Sequence, residues 1–164
     1  MYIGRELYLK NKLKVSLTNV SKNDIPFLYD LLKERLNYSK ELDYLALEDF
    51  PSFKKHTKLI EDFIENKSNS LWFAFHIINI EENNKNEKVG SVVIRKDGEW
   101  GYHIFQKHWN RKIGQETYRN LIKIYPKKRL WGKVKVENKR AVYLLEKKYN
   151  FKLKYFIYEN DKLD

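Results

Sequence analysis

Hydrophobic and polar positions change their period several times along the chain, and each change marks an element. Residues 13–17, Leu-Lys-Val-Ser-Leu, alternate as a half-buried strand does. Ser21 and Asp24 stand at capping-box spacing, and Leu28, Leu32 and Leu36 recur at every fourth position, which predicts a helix with one apolar face. Pro26 blurs its start, because proline disfavours helical backbone in the residue before it. Residues 38–50 carry no period and predict an irregular segment. Pro51-Ser52 then opens a second helix, with Phe53, His56, Ile60, Phe63 and Ile64 at spacings of three and four.

From residue 71 the pattern is that of strands. Residues 71–80 are rich in aromatic and β-branched side chains, 81–87 form a polar turn rich in Asn, and 89–96 pair back. Asp97-Gly98 predicts a tight hairpin into a strand over 99–105. A helix over 114–125, a strand over 129–136, a helix over 139–149 and a last strand over 151–160 complete the order β-α-α-β-β-β-α-β-α-β. No repeat or disordered linker interrupts it.

Length and composition narrow the function. A chain of 164 residues suits one domain, 1–164, large enough to bury a sizeable core. The absence of cysteine excludes thiol nucleophiles, disulfides and Cys-based zinc sites. The four histidines, His56, His76, His103 and His108, lack the one-turn spacing of a metal-binding helix, so no metal is expected. Charges break every apolar run in the first 14 residues, and no run approaches the length of a membrane span. The expectation is a cytoplasmic protein without a membrane partner. The net charge of +11 is spread along the sequence, with no run of five like charges. It favours anionic ligands, yet no nucleic-acid motif accompanies it, which leaves nucleic acid the weakest partner class.

Chemistry is expected where the strand over 99–105 hands over to the next helix, since a helix N-terminus offers unpaired N–H groups and a positive dipole end to a pyrophosphate. Glu99 and His103, four residues apart on one strand, share a face and are the candidate bases. Asn138 suits the N-cap of the helix that follows, and Asn150 its left-handed C-terminal position.

The stretch Trp131 to Phe156, WGKVKVENKRAVYLLEKKYNFKLKYF, resembles the cofactor-lining part of the Gcn5-related N-acetyltransferase (GNAT) superfamily, where an Asn ends the strand and EK-x-G-F ends the helix. The element order agrees along nearly the whole chain. The resemblance implies an α/β (α+β) fold, a central mixed, mostly antiparallel twisted sheet flanked by helices, with a splayed cofactor cleft. It implies an N-acetyltransferase that takes acetyl-coenzyme A (acetyl-CoA) as co-substrate. The family's Gln/Arg-x-x-Gly-x-Gly/Ala loop falls on Trp109 to Gly114, and only Gly114 keeps a glycine. The implied cofactor contacts are Ile104, Phe105, Asn110, Arg111, Lys112, Ile113, Gly114 and Gln115, with Asn138 and Ala141 beside the pantetheine arm. Leu145 stands where many members carry a Tyr that protonates the departing thiolate, and Tyr143 is about 200° away around the helix.

The segment around Ser52, His56 and Phe63 resembles acetyltransferases of nucleotide-linked amino sugars. It nominates Lys54, Lys55 and His56 for a small-molecule amine acceptor that can carry phosphate. The branch also includes ribosomal-protein N-terminal acetyltransferases, so a protein N-terminus is the alternative acceptor. The altered loop and missing Tyr keep a weakly catalytic acyl-CoA-binding module as a third reading. A homodimer is compatible with all of them.

Overall fold

The structure, a computed structural model, describes residues 13–37, 50–66, 71–135 and 137–152. Strand β1 (Lys14–Asn19) is followed by a short 3-10 turn and helix α1 (Ile25–Arg35), then by α2 (Phe53–Ile64). Strands β2 (Trp72–Glu82), β3 (Lys85–Arg95) and β4 (Trp100–Ile104) precede α3 (Ile113–Ile124) and α4 (Lys139–Tyr143). The four strands form one antiparallel sheet in the order β1-β2-β3-β4. The irregular segment expected before Phe50 and nearly all of the expected last strand lie outside the described residues.

The capping signals start the 3-10 turn that leads directly into α1. The backbone N–H of Ser21 donates to Asp24 Oδ2 at 2.8 Å, and Pro26 sits in the first turn, where a missing N–H costs nothing. Its buried face is Ile25, Leu28 and Leu31, so the core-facing stripe is rotated from the expected Leu28, Leu32, Leu36 series, of which Leu32 and Leu36 are only half-buried. In α2 the Ser52 hydroxyl accepts from the Lys55 N–H, and His56 and Ile60 point inward.

The β2-β3 hairpin is longer than its polar composition suggests. Asn83 and Asn84 both have positive φ (52° and 61°), as a two-residue turn demands, so pairing reaches Glu82↔Lys85. Alternation along the sheet divides the core in two. Ile78, Ile80, Val92, Ile94, Trp100 and Ile104 pack against Ile113 and Leu121 of α3, while Phe75 and Ile77 pack against Ile25, Leu28 and Ile60 of α1 and α2.

The C-terminal part departs from regular pairing. The strand expected over 129–136 meets β4 through one parallel bridge, Glu99↔Trp131. There Trp100 N–H donates to Trp131 O at 2.9 Å and Trp131 N–H to Gly98 O at 3.0 Å. Gly98, at φ 93°, is required for this approach, because a Cβ would lie 2.1 Å from the Arg129 carbonyl oxygen. The helix expected over 139–149 is α-helical only to Tyr143 and continues as a π-turn over Leu144–Lys148. Asn150 takes the left-handed conformation (φ 55°) and Phe151 N–H closes the end by donating to Leu145 O at 2.9 Å.

Asp24 ties the 3-10 turn to β3 through Lys88 at 2.6 Å. Burial opposes its ionisation, but hydrogen bonds from Lys88 and Ser21 outweigh that and lower its pKa. A depressed folded value means the contribution is complete above the unfolded value of about 3.9 and is lost as pH falls through the folded one. Asp24→Ala is expected to cost about 2 kcal/mol at neutral pH, with the gap to the wild type closing below about pH 4. Urea denaturation across pH checks this, and a pH-independent gap would disprove it.

Candidate active site

The cleft originates in the single bridge. Beyond Trp131 the chain leaves β4, so the outer edge of β4 has no described strand beside it. Phe105 N–H donates to Val89 O, and Trp100 N–H points the other way, to Trp131. Alternation then turns the N–H groups of Gly101 and His103 toward β3 and those of Tyr102 and Ile104 toward the open edge. The N–H of Phe105, one of the implied cofactor contacts, is therefore spent in the ladder. Tyr102 and Ile104 supply the edge donors.

The loop after β4 is held at both ends. A 3-10 turn over Gln106–His108 is fixed to α1 by Gln106 N–H donating to Glu34 Oε1 at 2.6 Å, and Phe105 packs edge-on against Phe27 at 5.6 Å. Trp109 folds back so that its indole N–H donates to Ile104 O at 2.8 Å. The Arg140 guanidinium at the start of α4 lies 5.7 Å from the Trp109 ring, across the mouth of the cleft.

Asn110 and Lys112 both have left-handed backbone, φ 67° and 61°. Lys112 occupies the position of the family's first loop glycine, and its backbone has the conformation a glycine would take there. Among the described residues, nothing accepts from the N–H groups of Asn110, Arg111, Lys112, Ile113 or Gly114. Successive unpaired N–H groups on alternating left- and right-handed backbone at a helix start form an anion-binding nest. This backbone fits a pyrophosphate without glycine at position 112.

Gly114 answers to a different neighbour. A Cβ there would lie 2.6 Å from the Tyr102 hydroxyl oxygen and 2.9 Å from the ring carbon that bears it. Tyr102 belongs to an aromatic cluster under α3, with Trp100 at 5.7 Å, and Tyr118 stacks on Tyr149 at 4.2 Å. Burial raises the pKa of Tyr102 and of Tyr149, so both phenols stay protonated at neutral pH. In the sequence, the only trace of this cluster is the alternation of Trp100, Tyr102 and Ile104 along β4. A groove of about 390 Å³ runs beside it, lined by Gln115, Tyr118, Arg119, Ile122, Lys148, Tyr149 and Asn150.

Glu99 and His103 flank Gly101 on the β4 face opposite Trp100, Tyr102 and Ile104, and this face is directed toward the α1-α2 layer. Glu99 sits at the closed end of the cleft, paired with Arg95 at 3.4 Å. His103 is half-buried toward the open end. Asn138 caps α4, its side chain accepting from Ala141 N–H at 3.1 Å. Lys54, Lys55 and His56 are not brought together. The two lysines are exposed, whereas His56 is buried against Tyr29, with ring centroids 5.4 Å apart, and burial lowers its pKa. Leu145 packs against the core and Tyr143 is exposed.

The family profile for "Acetyltransferase (GNAT) family" matches residues 32–151. The chain belongs to that family. It is thus an acetyl-CoA-dependent N-acetyltransferase. A comparison with curated protein sequences finds no significant match. Among solved structures, a domain from Methanocaldococcus jannaschii is 22% identical, with 82% of this chain and 86% of that one covered and a TM-score of 0.66. RimL, a ribosomal L7/L12 alpha-N-protein acetyltransferase in complex with coenzyme A, is 15% identical over 80% of this chain and 77% of its own, at a TM-score of 0.61. The microcin C7 self-immunity acetyltransferase MccE, in complex with acetyl-CoA and AMP, is 17% identical over 80% and 76%, at 0.58. At these identities the likeness is one of fold. No helix among the described residues of this acetyltransferase is long and apolar enough to cross a membrane, and no cluster among them suits a metal ion.

The contact between Gly114 and Tyr102 generates a test. Gly114→Ala is expected to destabilise the protein by about 1–3 kcal/mol, because the added methyl must displace the phenol. Tyr102→Phe in the same chain should recover part of that loss, as read by thermal denaturation. An additive double mutant would show that the glycine serves something other than this packing.

Proposed function

We propose that this acetyltransferase transfers the acetyl group to the primary amine of a phosphorylated small molecule, with a nucleotide-linked amino sugar as the best candidate. The observation that carries this reading is the placement of Glu99 and His103. They lie on the sheet face turned to α1 and α2, opposite the face that packs on α3. An acceptor entering over α2 would pass the exposed Lys54 and Lys55 and reach these side chains from the side opposite the cofactor loop. MccE, a protein of this fold, holds AMP together with acetyl-CoA, which supports a nucleotide-bearing acceptor. A protein N-terminus is the second reading, after RimL.

The residues present fit acetyl-CoA. The nest from Asn110 to Gly114 suits its pyrophosphate, and the open edge of β4 at Tyr102 and Ile104 can pair with the amides of the pantetheine arm as a neighbouring strand would. Asn138 and Ala141, at the start of α4, are the candidates to flank that arm, and the groove past Gln115, with Arg119 and Lys148 at its rim, suits the nucleotide end. When bound, acetyl-CoA supplies the activated acyl group. The edge N–H groups are fixed donors for charge that develops on the acyl oxygen. His103 takes the ammonium proton, directly or through water, and Glu99 is the alternative base at the closed end. Alignment of the two substrates supplies much of the rate. We further propose a cytoplasmic location and a single domain.

Acetyl-CoA is expected to raise the melting temperature by mass action, and thiol release should appear with an amino-sugar nucleotide in a panel that includes polyamines and peptides with free N-termini. No thermal shift at millimolar acetyl-CoA would contradict the cofactor assignment. Turnover confined to peptides would replace the acceptor but keep the enzyme.

His103→Ala is expected to lower kcat roughly 10²-fold with little change in cofactor affinity, and Glu99→Gln distinguishes the alternative base. Lys54→Glu with Lys55→Glu should raise the acceptor KM and leave that for acetyl-CoA nearly unchanged. Steady-state kinetics on both substrates reads these outcomes. Unchanged kcat in both base variants would remove Glu99 and His103 from the mechanism.

A further inference from the structure

A loop with two left-handed residues in three, neither of them glycine, must be held in place from outside, because such conformations persist only where the surroundings over-determine them. The β2-β3 hairpin provides the hold. Arg111, between Asn110 and Lys112, donates from Nη2 to Glu82 Oε2 at 2.8 Å and from Nη1 to His108 Nδ1 at 3.1 Å. An arginine can only donate, so His108 Nδ1 is the acceptor and the ring proton sits on Nε2. From there it donates to Glu87 Oε1 at 3.2 Å, which also receives Lys107 Nζ at 2.7 Å. His108 is 5% exposed, so the imidazole at the centre of the relay is buried, while Glu82 and Glu87 reach it from the surface. Glu82 and Glu87 flank the Asn83-Asn84 turn and are thus rigidly spaced.

We propose that Glu82 and Glu87 are positioning residues that, through Arg111 and His108, hold the pyrophosphate-binding loop in the left-handed form that glycine confers in relatives. The proposal rests on the acetyl-CoA reading of that loop. In it, Arg111 acts as an anchor, with one N–H of Nη2 given to Glu82 on the hairpin and one of Nη1 to His108, which the hairpin's Glu87 holds in turn. The hairpin, remote from the reacting groups, thereby sets cofactor affinity.

The sign of one substitution separates this from plain electrostatics. Removing the Glu82 carboxylate takes negative charge away from an anion site and releases Arg111, which by charge alone should tighten coenzyme A. The clamp requires the opposite. By calorimetric titration with coenzyme A, Glu82→Ala is expected to weaken binding roughly five- to tenfold, and Glu87→Ala to weaken it less. In a chain carrying Asn110→Gly and Lys112→Gly, where the loop reaches its conformation without help, Glu82→Ala should change affinity by no more than about twofold.

A cofactor-independent arm reads the loop itself. The strong amide-to-Hα cross-peak within Asn110 and within Lys112, which a positive φ produces, should weaken in Glu82→Ala while the far-ultraviolet circular dichroism stays native. Unchanged or tighter binding in Glu82→Ala, equal losses in both backgrounds, or unaltered cross-peaks would each overturn the clamp. Failure of the unsubstituted protein to bind coenzyme A would sink the cofactor reading instead, and the cross-peaks would still decide whether the hairpin holds the loop.

Discussion

Everything at the candidate site follows from β4 having a strand partner on one side and, on the other, a single point of attachment among the described residues. The bridge at Glu99 and Trp131 closes one end, and Gly98 lets the Arg129 carbonyl come close enough to form it. Past that point the edge of β4 carries backbone donors and acceptors with no strand partner among the described residues. Such an edge is normally an aggregation liability, and proteins cover or charge it. Here the Trp109 indole caps Ile104 O at the far end, and the Trp109-Arg140 contact spans the opening. The remaining length is what a strand-like ligand arm would pair with.

The second constraint is steric. Tyr102, Tyr118 and Tyr149 fill the space beneath α3, and the Tyr102 hydroxyl presses on the backbone at position 114. A small residue at the start of α3 can thus be demanded from below by packing as well as from above by a ligand. The helix start is pinned from one side and left open on the other. That is the arrangement an anion site at a helix N-terminus needs, since the donors must stay put when the anion is absent.

Much of this was legible in the sequence, for identifiable reasons. The capping pair Ser21-Asp24, the Ser52 cap, Asp97-Gly98 and Asn150 are signals carried by adjacent residues, and each appears where its chemistry places it. The loop was legible as a place but not as a conformation. Reading glycine as the requirement makes Lys112 look like a defect, whereas the contacts that reach the loop come from Glu82 and Glu87 on a distant hairpin, which no local pattern reveals. The π-turn over Leu144–Lys148 was hidden for a similar reason. The amphipathic period of a five-residue turn cannot be told from that of an α-helix over so short a span. His56 was misleading in another way. Its neighbours Lys54 and Lys55 suggest an exposed basic cluster, yet the spacing His56, Ile60, Phe63 already puts the imidazole on the apolar face.

The charge of +11 invites the view that side chains create the field at the anion site, and the ion pairs argue otherwise. Around the loop, Lys107 is neutralised by Glu87 and Arg111 by Glu82, at 2.7 and 2.8 Å. Surface pairs of this kind contribute little to stability and are screened by salt. Beside these pairs the candidate site offers a row of backbone N–H groups and the α3 dipole, partial charges that do not titrate. Electrostatic complementarity at the loop itself thus depends on main-chain conformation, with Arg119, Arg140 and Lys148 further out. Side-chain charge acts one step removed, by keeping that conformation in place.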